Sequence, residues 1–454
     1  MGTRLSDSAQ YAHLWGTAEL AQVFEERARL QSWLDILVAL ATAQARLGMI
    51  PTEAATAITV HAKADLLDLD YVAAQTRLTS HSTLGLIRGL QQVLPVPARE
   101  YVYVGATVQD VTDTWFSLVA GRVGAIAWRD LRAIEDALLT LAVDHRETVM
   151  AGRTHGQPGA PITFGFKVAS WADEVRRHLE RLQQGRSRWL VGQLGGAVGV
   201  LGFFAPDGAA LRAEFCAELG LQDPGISWLS ARDRIAEFGT VMSLISGTLA
   251  RIGNEVYELQ RPEIGELREP TTADVVGSIT MPHKRNPEGS EQLDTLARLV
   301  RAHAGVLVEG LVAGHERDGR SWKAEWIAFP EVCLLTGAAL QLARRLVSGL
   351  VVDAEAMQRN LTSHGDKLSS EQVLAGLTGT LGKHAAQQLM HDVLAPGTRD
   401  VHQVFETLLA EGAVTEPDRG EPNADWAIGD SARMVDDVVA RGRRARAEEP
   451  ETWL

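Results

Sequence analysis

The chain has 454 residues, 45% of them hydrophobic and 22% charged, the balance of a soluble globular protein too long for one simple core. Its formal net charge of −14 argues against nucleic acid or an anionic membrane as the main partner, because both reward basic surfaces. A small anionic substrate is still allowed, since a site needs only local positive charge.

The opening stretch "MGTRLSDSAQYAHLWG" has no apolar core, so no signal peptide is expected. The segment "RLQSWLDILVALATAQARLGMIP" sets Trp33, Leu37 and Leu40 on one helical face, and Gly48 and Pro51 close it. "PVPARE", from Pro95, reads as the connector between an N-terminal and a central helical region. Glycine- and proline-rich loops are expected at 151–161, 192–208 and 268–289. Between and beyond them the helical period recurs. Leu293, Leu296, Val300, Leu307 and Leu311 mark one helix, and Leu335, Ala339, Leu342, Leu346 and Leu350 mark another. Helices of about 20 residues, or roughly 30 Å, suit a long bundle better than an α/β sheet. The stretch 351–367 reads as the entry to a C-terminal region ending in a short helix. No run of about 18 apolar residues occurs, so no membrane span is expected. Two cysteines, Cys216 and Cys333, cannot build a disulfide framework, and a reducing cytoplasm is the expectation.

Several chemistries are excluded by pattern. HExxH, paired CxxC, GxGxxG, the P-loop and GxSxG are all absent, and the 13 histidines show no metal-ligand spacing. Three long loops sharing Thr, His, Ser and Lys are uncommon in a bundle unless they serve a function. "GRTHGQP" offers Thr154 beside His155, an imidazole suited to proton transfer near neutral pH. "GATVQD" offers Thr107, Gln109 and Asp110. "GSITMPHKRNP", from Gly277 to Pro287, offers Ser278, Lys284 and Asn286. Lysine and asparagine suit a carboxylate, and amides of a Gly-rich loop suit an oxyanion.

The stretch "GSITMPHKRNPEGSE" resembles the fumarase/aspartase superfamily signature GSSxMPxKxNP, with a glutamate five residues after the asparagine. "AGRTHGQPGAPITFGFK" resembles the second block of that family and "VGATVQDVTDT" its first. The likeness runs from about residue 20 to about residue 440. "HERDGRSWKAEWIAFPEV" is similar to the 3-carboxy-cis,cis-muconate cycloisomerase branch. Adenylosuccinate lyases carry a Glu-Arg pair where Glu325 is here followed by Trp326. Indole for guanidinium removes charge and fork geometry, which counts against a nucleotide substrate.

The resemblance implies an all-α fold of three helical domains, at 1–100, 101–350 and 351–454. It also implies a homotetramer whose long central helices form a 20-helix bundle, with active sites shared between subunits. It implies elimination or addition at a carbon next to a carboxylate, through an enolate-like intermediate, without cofactor or metal. Ser278 would be the base, His155 the acid, and Glu291 the carboxylate that pairs with this histidine from another subunit. Lys284 and Asn286 would bind carboxylate, as would Arg317. Thr107, Thr154, His81 and Gln193 would complete the pocket. The partners implied are a small carboxylate substrate and other copies of the chain, with no nucleic acid and no membrane.

Three positions depart from the family pattern. Val108 replaces the serine of the first block, Tyr103 replaces the usual histidine before it, and Ile279 replaces the second serine of the signature. "LGKHAA" also differs from the C-terminal pattern. The base is retained, while pocket polarity falls. The foremost reading is therefore a cycloisomerase that lactonises a tricarboxylic muconate in aromatic catabolism. The alternative is a C–N lyase releasing fumarate from an N-substituted succinate of the nitrosuccinate, aminosuccinate or adenylosuccinate type. An inactive structural homologue is a third class, and joint retention of Ser278, His155, Lys284, Asn286 and Glu291 opposes it.

Overall fold

The structure, a computed structural model, describes residues 4–271, 276–281, 283–363, 368, 370–394, 406, 407, 409, 410, 412 and 428–454. Six helices come first: α1 (Ala18–Phe24), α2 (Glu26–Arg46), α3 (Thr52–His61), α4 (Leu69–Thr79), α5 (Leu84–Val93) and the single turn α6 (Val96–Arg99). The expected face of α2 is correct, for Trp33, Leu37 and Leu40 are all buried. The expected connector from Pro95 is instead α6, whose first turn accepts Pro97 because that amide needs no helical partner.

The long helices follow. They are α7 (Val108–Asp144), α8 (Phe164–Trp189), α10 (Asp233–Gln260), α11 (Glu288–Glu309) and α12 (Gly319–Ser348), with the shorter α9 (Gly208–Glu218) between α8 and α10. Their neighbours are α7 with α8, α10 with α11, and α11 with α12. Phe116 of α7 and Phe238 of α10 both meet Phe329 of α12, with ring centroids 4.8 and 5.5 Å apart. Helix α12 begins well before the Val332 expected from periodicity, and it carries Pro330 inside. Helix α11 ends at Glu309, so Leu311 lies beyond it and is exposed.

The loop expected at 151–161 is a correction. It forms an antiparallel hairpin of β1 (Val149–Thr154) and β2 (Gln157–Thr163). His155 and Gly156 make its two-residue turn, with φ of 52° and 75°. Two positive φ values match the twist of the flanking strands, and glycine takes the second at no steric cost. A smaller pairing joins β3 (Leu267–Arg268) to β4 (Val351–Val352). The C-terminal helices are α13 (Ala354–Ser363), α14 (Ser370–Leu381), α15 (Lys383–Leu394) and α16 (Ser431–Glu448). Among the described residues the chain is all-α apart from these short pairings. Helix α16 packs back on α7 and α8, and Trp453 after it is buried against Gly124.

Helices α10 and α12 are long and apolar enough to cross a bilayer by length and composition, yet most of each apolar window is buried inside the protein. Cys216 and Cys333 are both buried and unpaired.

The bundle has two distinguishable ends. Arg232, just before α10, is bonded to Asp113 in the second turn of α7 and to Glu325 near the start of α12. At the other end of α10, Gln260 accepts from the Glu269 amide at 2.7 Å. Glu266 there forms a two-bonded ion pair with Arg153 of β1, at 2.8 and 2.7 Å. Helix α10 has 28 residues. At 1.5 Å per residue the ends stand about 42 Å apart.

Candidate active site

The candidate site residues fall into two groups, one at each end of the bundle. The first is built on the N-terminus of α7. Thr107 precedes the helix, and its amide donates to Asp110 Oδ2 at 2.9 Å. A threonine followed three residues later by an acid is a helix-start signal, and the acid holds an amide that the helix leaves free. Here Asp110 does more. Gly195 N, Gly196 N and Gln193 Nε2 donate to it at 2.9, 3.1 and 3.2 Å. Burial pushes its carboxyl up to about 6, against the pull of those bonds. Asp110 thereby fastens the glycine loop 192–201 to the first block.

Gln193 is fully buried in this network. Its Nε2 also donates to Ser227 Oγ at 3.1 Å, and its Oε1 accepts from Trp228 N at 2.9 Å. Arg317 completes the group, donating from Nη2 to Thr107 Oγ1 at 2.7 Å and to the Ala197 carbonyl at 2.8 Å. Thr107 and the glycine loop line a cavity of about 360 Å³ with an apolar rim, where Val198, Val200 and Phe203 are exposed. His81 stands beside this group. Its Nδ1 is 3.5 Å from Thr83 Oγ1, and Tyr103 nearby is within electrostatic reach of Asp110 and Arg317. Beneath them lies the buried triad of Asp113, Arg232 and Glu325. Burial drives both carboxyls up, and the guanidinium opposes it. The Trp-x-Ala-Glu-Trp segment therefore supplies this support through Glu325. Trp322 adds a hydrogen bond from Nε1 to Thr112 Oγ1 at 3.2 Å.

The second group holds Ser278, Lys284, Asn286, Glu291, Thr154 and His155. The loop bearing Ser278 is closed on itself. Asn286 Nδ2 donates to the Gly277 carbonyl at 2.9 Å, and Lys284 N donates to Met281 O at 2.9 Å. A side-chain carbon at Gly277 would stand 2.6 Å from Lys284 O, so only glycine fits. Within this loop Ser278 Oγ accepts from Met281 N at 3.0 Å. An amide donor aimed at a hydroxyl oxygen favours its deprotonated form. Ile279 is 96% exposed at the loop's crest. Signature residue Pro282 lies outside the described residues.

The first amides of α11, Gly289 N and Ser290 N, are taken by Glu269 at 3.0 and 2.7 Å. Glu269 thus satisfies the positive end of the helix that carries Glu291. No sequence pattern singled out Glu269, whose partners lie 20 and 21 residues on. Thr154 and His155 sit exposed at the hairpin tip. Among the described residues neither His155 nor Glu291 has a side-chain hydrogen bond or ion pair within the chain.

A lyase family model matches residues 16–302. The chain belongs to the fumarase/aspartase superfamily of lyases.

The chain is 38% identical to an N-acetyl-S-(2-succino)cysteine lyase of Dickeya dadantii, over 97% of the chain and 98% of the relative. It is also 38% identical to a 3-carboxy-cis,cis-muconate cycloisomerase of Pseudomonas aeruginosa, over 95% and 94%. Its fold superposes on the 3-carboxy-cis,cis-muconate lactonizing enzyme of Pseudomonas putida with a TM-score of 0.83 at 31% identity, covering 95% and 98% of the two chains. The all-α fold and the enzyme class expected from the signature are therefore correct. The relatives are lyases or cycloisomerases, so the superfamily is common ground and the reaction and substrate are not.

Proposed function

We propose that this lyase removes a thiol from a 2-(alkylthio)succinate, releasing fumarate, without a cofactor. The likeness to a lyase of N-acetyl-S-(2-succino)cysteine over nearly the whole of both chains carries this reading. The local chemistry fits it. A thioether is neutral, and the exposed Ile279, which stands where the family pattern has a serine, and the rim of Val198, Val200 and Phe203 offer apolar surface. A thiol of pKa near 8.5 also leaves with less help from an acid than an amine does.

In this reading Ser278 takes the proton from C3, next to the far carboxylate. The electron pair enters that carboxylate as an enolate-like intermediate, held by Lys284 and by Arg317. The pair returns as the C2–C3 double bond while the C2–S bond breaks. His155 gives the departing sulfur its proton, and Glu291 holds the imidazole in orientation. Asn286 and Gln193 keep the loops in shape, while Thr107, Thr154 and His81 line the pocket.

Ser278 and Arg317 belong to groups some 40 Å apart in one chain, a distance no small substrate spans. That separation supports a homotetramer in which each site draws on several chains. Two buried, unpaired cysteines and a metabolic substrate support a cytoplasmic location.

A cycloisomerase is the second reading, favoured by the identity and fold likeness to the muconate enzymes. The test is direct. Purified protein is given N-acetyl-S-(2-succino)cysteine, an N-substituted succinate or 3-carboxy-cis,cis-muconate. Fumarate absorbance rising with the first substrate, and fastest with it, is expected. Loss of diene absorbance with the muconate alone would transfer the assignment to the cycloisomerase. Fumarate from the N-substituted succinate alone would make the chain a C–N lyase.

A further inference from the structure

Two glutamates, Glu266 and Glu269, bracket the strand β3. The segment they bound is pinned along its backbone. Glu266 N donates to Leu259 O at 2.9 Å, and Glu266 O accepts from Asp353 N at 2.9 Å. Leu267 is buried and pairs with Val352 of β4. The Glu269 amide is held by Gln260 Oε1 at 2.7 Å. The two glutamates lie at most about 11 Å apart, the reach of three residues of extended chain.

Each side chain holds a different element of the site. Glu266 is 0% exposed, and both its oxygens accept from the Arg153 guanidinium. Asn360 of α13 adds a bond from Nδ2 to Oε1 at 2.8 Å. Two parallel charge-assisted bonds fix direction as well as distance. Arg153 stands two residues before His155, where the register of β1 on β2 shifts between Gly152 and Arg153. A shift of this kind re-aims a side chain, and here the side chain is the one that Glu266 grips.

Glu269 closes the neck of the other element. The chain leaves Glu269, carries Ser278, and returns to the same carboxylate at Gly289 N and Ser290 N, 3.0 and 2.7 Å away. Arg285 Nη1 donates to Thr271 Oγ1 across this neck at 3.2 Å. A side-chain carbon at Gly289 would stand 3.2 Å from Glu269 Oε2, so helix start and carboxylate meet closely.

We infer that Glu266 and Glu269 are positioning residues with separate duties. Glu266 places the hairpin that carries His155, Glu269 places the loop that carries Ser278, and β3 keeps the two in register. The inference rests on the roles proposed above for His155 and Ser278.

Kinetics on the full-length protein separates the duties. A part that merely supports the fold slows every step alike. One that places the base slows proton removal, and one that places the acid slows departure of the sulfur. Glu269→Gln keeps the length and loses the charge. It should lower kcat by about 10–100-fold with KM within about two-fold, the effect of a misplaced catalytic group. With a 2-(alkylthio)succinate deuterated at C3, its primary isotope effect should exceed that of the wild type. Glu266→Gln should lower kcat by a similar factor without raising the isotope effect. Its rate should instead fall more steeply as the pKa of the departing thiol rises. Equal isotope effects and equal thiol dependence in the two variants would overturn the division, and an unchanged kcat in either would remove that residue from it. Asn360→Ala loosens Glu266 without stranding Arg153. It should show the Glu266 pattern in weaker form even where Glu266→Gln fails to fold, and its absence would count against Glu266.

Hydrogen exchange needs no substrate. Glu269→Gln should speed exchange at Gly289 and Ser290 and leave 149–163 as in the wild type. Glu266→Gln should do the reverse. Loosening of both elements by either variant would overturn the separation. If the wild type turns over none of the three substrates, the functional reading fails, and exchange still decides which element each glutamate holds.

Discussion

Arg317 and Thr107, 210 residues apart in the chain, are joined by a hydrogen bond of 2.7 Å from Nη2 to Oγ1. The same nitrogen holds the Ala197 carbonyl, while Nε is buried without a partner. A guanidinium fixed along one edge is placed for a carboxylate on the other. Arg317→Lys keeps the charge and loses the fork. It should lower kcat/KM about 100-fold, chiefly through KM, as loss of a charge-assisted pair does. Steady-state kinetics beside a melting curve checks this. An unchanged KM would confine Arg317 to holding the loop.

Ser278→Ala removes the proposed base from a loop shaped by Gly277 and Asn286. Turnover should fall by roughly 10²–10⁴-fold, the usual worth of a positioned base, with melting temperature and assembly unchanged. A rate within a few-fold of wild type would assign the base elsewhere.

The two groups of site residues permit a mixing experiment. Ser278→Ala damages one end of the bundle and Arg317→Ala the other. Each variant alone should be nearly inactive. Unfolded together and refolded as mixed oligomers, they should regain activity, because some sites then draw both intact groups from different chains. No recovery on mixing would show that one chain supplies the whole site.

Arg232→Met should be severely destabilising. It strands Asp113 and Glu325, both 0% exposed, without their shared cation. Breaking a buried pair this way costs about 3–5 kcal/mol. Denaturant unfolding measures it, and a loss below about 1 kcal/mol would mean that water reaches the carboxylates.

Asp110 gives a pH prediction with a definite sign. Its carboxyl is pushed up to about 6 in the folded chain from 3.8 when unfolded. Between those values the folded chain holds the extra proton, so stability falls as pH rises. The full penalty, roughly 3 kcal/mol, stands above pH 6 and vanishes below about 4. Asp110→Asn cannot titrate. The stability of wild type minus variant should therefore decline from about pH 4 to pH 6 and then level off. A flat difference in denaturant titrations across that range would place the Asp110 pKa near its ordinary value.

The helices of this chain were legible because their apolar residues keep the helical period. Trp33, Leu293, Leu296 and Val300 lie inside, as that spacing requires. The hairpin at 149–163 was not, since glycine and proline dominate its letters. Its one local signal is His155-Gly156, a weak form of the Asn-Gly turn. The signature blocks identified the candidate residues but not their separation, which depends on how far α7 and α10 run. Partners such as Glu269 for α11, or Thr83 for His81, come from contacts that no spacing rule expresses.

Helix α7 carries Thr107 at its start and leads to the His155 hairpin at its end, 37 residues on. In a shared site that helix acts as a ruler between two reaction centres. Removing one residue from its middle would turn the ends against each other by 100° and draw them 1.5 Å closer. Both centres would lose register at once, with no site residue touched. Length variation among relatives of this chain should then gather in the connectors and be absent from α7.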